Sequence, residues 1–306
     1  KGFPMDTAAR FLSALCAGYP AVEDLCIEIR PLLPGHVKAG LEPEEVSEIH
    51  KSVRAWYALE PEYLANAARY ADGMKCNFDV YFGVLPRIGR TGGQANVPAA
   101  TCLFADVDGG DDGPDGSIAL VKQCKLPNGE RLPKPNLAVI SGGGLHCYWL
   151  LSEPILFQTH SDREYYKKTL RRLCRTIAGQ SPAAHGDISA AECARILRLP
   201  GTFNHKHPDC PRPVRLVRCK PTERRDYDWW GANLLAEPIT ELPQKKHRES
   251  YAVGQISDGL LRWAQTGYPE GNRHHDLLTA GAWLVRDCGL TKADAEFVLR
   301  TKANNS

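Results

Sequence analysis

The chain reads as an α/β (α+β) protein, and three observations predict it. Apolar residues recur at helical spacing through most of the first 70 positions, short runs rich in Val, Ile, Leu and Phe take over from Val80, and an amphipathic helix is interposed among the later runs. At 306 residues, 43% of them hydrophobic, the chain is long enough for one large domain and a smaller one. The large domain is expected over 5–240, mostly helical to about residue 70, with a linker at 241–257 and a small helical domain at 258–306.

Taken in order, Lys1 to Pro4 precede Met5 and are set aside. Ala8, Phe11, Leu12 and Leu15 fall on one helical face, and Glu44 to Ala71 carries many helix formers with few breakers. A short extended piece, Leu25 to Pro31, separates them. Strands are expected at Val80 to Leu85, Thr101 to Val107, Leu137 to Ser141, His146 to Leu151 and Val214 to Val217, with a helix from Asp162 to Ile177 before the last. Asp108 to Pro135, rich in Gly, Asp, Pro and Lys, reads as an exposed loop or hairpin. Past the polar linker, Gly259 to Trp263 and Asn272 to Cys288 read as amphipathic helices, and Thr291 with Asp294 as the cap of a third.

Net charge is only +2, so a nucleic-acid surface has to come from local clustering. The clusters are Arg87 with Arg90, then Arg171, Arg172 and Arg175, then Arg212 to Arg225. Eleven cysteines lie scattered with no Cys-x-x-Cys pair, several inside apolar runs, and no signal peptide is evident. Reduced thiols and a cytoplasmic location are expected. No apolar run is long enough to cross a bilayer. His205, His207, Cys210 and Cys219 offer four nitrogen or sulfur groups, but their spacing matches no established zinc pattern and no structural zinc is expected.

Three segments carry chemistry. Leu103-Phe104-Ala105-Asp106-Val107-Asp108 ends an apolar run with two carboxylates one residue apart. In a strand Asp106 and Asp108 share a face, and like charges held so close are tolerated chiefly where a cation neutralises them. The second is Ser141-Gly142-Gly143-Gly144-Leu145-His146, a strand, a glycine turn and a second strand on which His146, Tyr148 and Leu150 share a face. The third is Gly186-Asp187 followed by Arg195-Ile196-Leu197-Arg198-Leu199-Pro200-Gly201-Thr202-Phe203-Asn204-His205-Lys206, a further carboxylate and then cations.

In that order these motifs resemble the archaeo-eukaryotic primase superfamily, in particular the primase-polymerases of phages, plasmids and other mobile elements. The resemblance spans roughly residues 78–220, and Glu270 to Leu278 is similar to the small helical domain that follows many such cores. It implies a catalytic core with a mixed β-sheet and an RRM-like unit. It also implies template-directed primer synthesis and extension from nucleoside triphosphates on single-stranded DNA, in some relatives with a helicase. Extending a nucleic acid requires cations on the attacking and leaving oxygens, so Asp106, Asp108 and Asp187 are the expected ligands of a two-metal Mg²⁺ or Mn²⁺ site. The resemblance sets His146 against the nucleotide phosphates, in protonated form a cationic donor, with Ser141 and Gly144 lining the pocket. Where relatives often carry Ser, Gly144 offers no hydroxyl. Lys206 beside Asn204 is expected at the triphosphate, with one of Arg195 and Arg198 at most, because the two oppose each other on extended backbone.

Other readings compete. Asp187 also stands where it would cap a helix over Ser189 to Leu197. His205-Lys206-His207 with Tyr227 or Tyr251 could belong to a rolling-circle nicking enzyme, but Lys206 stands where a hydrophobic residue is usual. A non-catalytic replication initiator would bind single-stranded DNA through basic grooves and aromatics such as Trp149 or Trp229.

Overall fold

The computed structural model describes residues 7–179 and 191–236. Asp187, the linker and the small helical domain lie outside the described residues. From the start, the chain forms α1 (Thr7–Cys16), β1 (Leu25–Leu32), α2 (Gly35–Lys38), α3 (Pro43–Ser52), β2 (Ala55–Ala58), α4 (Pro61–Met74), β3 (Asp79–Gly83) and β4 (Arg87–Ile88). It continues through β5 (Ala99–Asp108), α5 (Gly113–Gln123), β6 (Leu137–Ile140), β7 (Gly144–Leu156) and α6 (His160–Ala178). Three short strands follow, β8 (Ile196–Arg198), β9 (Phe203–Asn204) and β10 (Arg212–Pro213), then β11 (Arg215–Cys219) and α7 (Tyr227–Asn233).

Two principal sheets result. The first runs β2-β1-β3-β8, with β4 also on β1, and the second runs β11-β6-β7-β5. Every pairing between strands is antiparallel, and the parallel contact among the described residues is the single bridge Leu151–Arg225. The sheets are therefore antiparallel rather than mixed: β5 and β7 pair directly along their length, with no helical crossover returning a parallel neighbour. Apart from β8, β9 and β10, which intervene after α6, the order β5-α5-β6-β7-α6-β11 does follow the β-α-β-β-α-β arrangement expected of an RRM-like unit.

Between the sheets lies the core. Phe11 of α1 sits edge-on to both Phe82 of β3 and Tyr148 of β7, with centroids 5.2 and 5.3 Å apart, so the first helix joins the two layers. Caps hold the helix starts where the sequence puts them. Thr159 and Asp162 form a reciprocal capping box at α6, and Pro43 and Pro61 open α3 and α4.

Two expected segments come out differently. Glu44 to Ala71 is not helical throughout, because β2 interrupts it. Val53 and Arg54 leave α3, Trp56 and Tyr57 favour extended backbone, and the vacant edge of β1 accepts them opposite Glu28 and Ile27. Asp108 to Pro135 is not a bare loop. α5 fills its first half, anchored by the Ser117 hydroxyl donating to the Val107 carbonyl at 2.8 Å, and the bridge Lys125–Arg131 closes a small hairpin.

The arginine clusters serve the fold more than the surface. Arg87 is buried against Glu28, Arg172 donates to the carbonyls of Gly231, Leu234 and Leu235, and Arg224 donates to those of Pro221, Leu151 and Ala17. Burial of loop carbonyls needs donors, and the fork of a guanidinium supplies several at once. No described helix is long and apolar enough to cross a membrane.

Candidate functional site

The site forms where the end of β5 meets β7, the edge strand β8 and the hairpin β9–β10. In the β5–β7 register Asp106 lies opposite His146, and Asp108 lies opposite Gly144. Alternation then decides the faces: Val107 is fully buried, Asp106 is 29% exposed, and Asp108 is exposed at the strand end. Asp108 Oδ1 accepts the Gly110 N–H at 3.0 Å, which fixes the turn leaving the strand.

Asp106 is held between two partners. Its Oδ1 is 3.5 Å from His146 Nε2, and its Oδ2 is 3.8 Å from Arg195 Nη2. His146 is 3% exposed, and its Nδ1 has no hydrogen-bond partner. Burial lowers the His146 pKa, Asp106 opposes that, and Arg198 and Arg195 lower it further. Burial thus works against the protonated form expected from sequence. Two guanidinium groups already supply the positive charge.

Both arginines reach the cleft. Arg195 lies just before β8 and meets Asp106, whereas Arg198 lies on the strand opposite Tyr81 of β3, its guanidinium 5.1 Å from the ring centroid and its Nε 3.8 Å from Asp79. The expectation that extended backbone would send one away fails here. Arg195 precedes the regular strand, so strict alternation does not bind it. Tyr81 feels the whole group: burial raises its pKa, Arg198 lowers it, and Asp79 and Asp106 raise it.

The glycine turn and the last motif are strapped together. The Asn204 side-chain amide donates to the Ser141 carbonyl at 2.9 Å, while its oxygen accepts the Lys206 N–H at 3.0 Å. Arg212 adds a bond to the Gly142 carbonyl. Ser141 is buried, its hydroxyl accepting the Gly144 N–H at 3.3 Å, so it shapes the turn. Gly144 must be glycine, since a Cβ there would stand 2.5 Å from the Val107 carbonyl oxygen. That contact explains the missing hydroxyl noted in the sequence. Pro200 and Gly201, the latter at φ +93°, make the turn between β8 and β9. Lys206 is exposed just past this strap.

Asp79 and His205 complete the cleft, and sequence reasoning missed Asp79 and Tyr81. Asp79 Oδ1 accepts the His205 N–H at 2.8 Å and lies 3.6 Å from His205 Nδ1. A signal was available: Asp79 and Tyr81 alternate with Val80 and Phe82, which puts both polar groups on one strand face beside a fully apolar one. His205 is thus committed to Asp79, while His207 and Cys210 are exposed. Among the described residues no group of three His, Cys, Asp or Glu is placed to hold a metal ion. Asp106 and Asp108 supply two hard oxygen donors on one strand face, a set that fits Mg²⁺ or Mn²⁺ once a third carboxylate joins, and Asp187 lies outside the described residues.

Of the competing nucleophile and stacking residues, Tyr227 and Trp149 are otherwise engaged. The Tyr227 hydroxyl is 2.8 Å from Thr169 Oγ1, and burial pushes its pKa up to about 12. Tyr251 lies outside the described residues. Trp149 is buried and donates to the Pro133 carbonyl, and Arg225 covers the Trp229 ring at 4.5 Å.

No protein-family model matches the chain, and no characterised protein matches it in sequence. Among solved structures, it is similar to the AEP domain of the primase-polymerase (PrimPol) of cyanophage S-2L, at 17% identity over 77% of this chain and 100% of that one, with a TM-score of 0.49. It is also similar to the primase RepB', at 14% identity over 97% of this chain and 80% of that one, with a TM-score of 0.41. Both scores lie below 0.5, so the function is drawn from the residues of the site.

Proposed function

We propose that the chain is a metal-dependent primase-polymerase, a nucleotidyltransferase that starts and extends primers on single-stranded DNA from nucleoside triphosphates. The observation that carries this reading is the apposition of Asp106 with His146 and Arg195 at the end of β5, with Asp108 following on the same face. The ordered resemblance of the three motifs supports it.

Asp106, Asp108 and Asp187 would hold Mg²⁺ or Mn²⁺. Such ions would supply a lowered pKa for the attacking 3′ hydroxyl and charge balance for the leaving pyrophosphate. The remaining work falls to the protein. Arg195, Arg198 and Lys206 bind the triphosphate and offset its charge as the bond to the α-phosphate breaks. His146 donates a hydrogen bond to the nucleotide phosphates from the strand face it shares with Asp106. Asn204 keeps Lys206 and the glycine turn in register, so the nucleotide is oriented before the hydroxyl arrives. A replication role beside a helicase and a cytoplasmic location are parts of the same proposal.

The test is direct. Labelled nucleotide is incubated with unprimed single-stranded DNA and Mg²⁺ or Mn²⁺, and products are sized on a gel. Template-length products that vanish in Asp106→Asn are expected. No incorporation on primed or unprimed DNA with either ion would overturn the proposal.

A further inference from the structure

We infer that the outer face of the first sheet is a track for single-stranded nucleic acid leading into the site. Alternation divides this sheet sharply. Ile27, Ile29, Val80 and Phe82 face the core, which leaves Trp56, Arg30, Tyr81 and Arg198 on the opposite face. α4 buries Leu64, Ala67, Ala68 and Ala71, which belong to the same core.

The outer face has two features that nucleic acid recognises. Arg30, Tyr81 and Arg198 form one cross-strand row across β1, β3 and β8. At the far edge Trp56 lies opposite Glu28, with the Arg54 guanidinium 4.7 Å from its ring centroid. Each aromatic thus carries an arginine, at 5.1 Å for Arg198 over Tyr81, and such pairs offer planar surfaces for bases beside charge for phosphates. From β2 to β8 the track crosses three strand spacings, about 14 Å, room for about four bases at the duplex rise.

Charge favours a polyanion over other occupants: the face carries Arg30, Arg54 and Arg198, and of its two carboxylates Asp79 is 11% exposed and lies 3.8 Å from Arg198. Glu28 is 1% exposed and already binds Arg87 and Arg54, at 2.5 and 2.6 Å, so it presents no negative charge outward. Arg30 is 40% exposed, and its carboxylate neighbour is that same Glu28 at 3.9 Å. The row ends at Arg198, within the candidate site, so a strand lying on it enters where template has to be. That last step rests on the proposed nucleotidyltransferase reading, but the binding itself does not.

The experiment measures binding of a fluorescent 20-nucleotide oligo-dT to the full chain by anisotropy, without metal or nucleotide, across a salt series. Arg30→Gln is expected to weaken binding about threefold to tenfold and to reduce the slope of log affinity against log salt by about 0.7. Trp56→Ala is expected to weaken binding about tenfold with the salt slope unchanged, its melting temperature being checked alongside. Wild-type affinity and slope in Arg30→Gln would overturn the inference while leaving the catalytic reading untouched. If the wild-type chain incorporates no nucleotide but binds the oligonucleotide, and both variants weaken that binding as expected, the nucleotidyltransferase reading falls and the track stands. Self-association lost in the same variants, with oligonucleotide binding unchanged, would assign the face to a second copy instead.

Discussion

Asp106 is the residue on which the site turns, because it faces both His146 and Arg195. Asp106→Asn and Asp108→Asn are each expected to reduce nucleotide incorporation to background in saturating metal, with urea stability changed by less than about 1 kcal/mol, since Asp106 is partly exposed and its ion pairs are screened. Near wild-type extension by either variant would remove it from the metal site. Lys206→Ala is expected to raise KM for the nucleotide several-fold while oligonucleotide affinity holds. Titration gives another residue-scale test. His50 Nε2 accepts the Leu33 N–H at 3.0 Å, and burial followed by Lys38 and Arg30 lowers its pKa. His146 is lowered too, mainly by burial. Both take up a proton less readily folded than unfolded, so acid favours the unfolded chain. Stability is full above the ordinary histidine value of about 6.5 and declines as pH falls below it. His50→Gln keeps an acceptor for Leu33 and should flatten that decline in melting temperature, and an unchanged pH profile would refute the assignment.

Among the elements, those with clean periodicity were legible from sequence. α1, α6, β5 and β7 stand close to where spacing and caps put them, and so the pairing face of Asp106 could be foreseen. β2 was not legible, since four residues among helix formers carry no period and their structure comes from the vacant edge of β1. β8 was hidden for the same reason: three residues pair with β3 from more than a hundred positions away. Because no local signal announces such strands, neither Asp79 nor Tyr81 could be tied to Arg198 beforehand. The buried pair behind them offers an element-scale prediction. Arg87 Nη1 reaches Glu28 at 2.5 Å and Nη2 reaches the Ala194 carbonyl at 2.8 Å, just ahead of Arg195. Arg87→Met strands Glu28 in the interior and is expected to cost about 3 to 5 kcal/mol in urea melts. A loss below about 1 kcal/mol would mean that Glu28 finds water or Arg54 suffices.

For the whole molecule, the long-range closure of the first sheet has a consequence in time. Tyr81 is paired on one side with Arg30, but its other side waits for Arg198, which the ribosome adds 198 − 81 = 117 residues later. At bacterial or eukaryotic synthesis rates that interval is on the order of ten seconds, far longer than a hairpin needs to form. Throughout it, β3 presents an unpaired edge beside fully apolar Val80 and Phe82, the kind of edge on which other chains nucleate aggregates. Release of the chain at residue 179 should therefore yield dye-binding, poorly soluble material, whereas release at 236 should not. The nascent protein is consequently most dependent on chaperones just before β8 emerges, and a pause in translation upstream of that point would prolong its most vulnerable state.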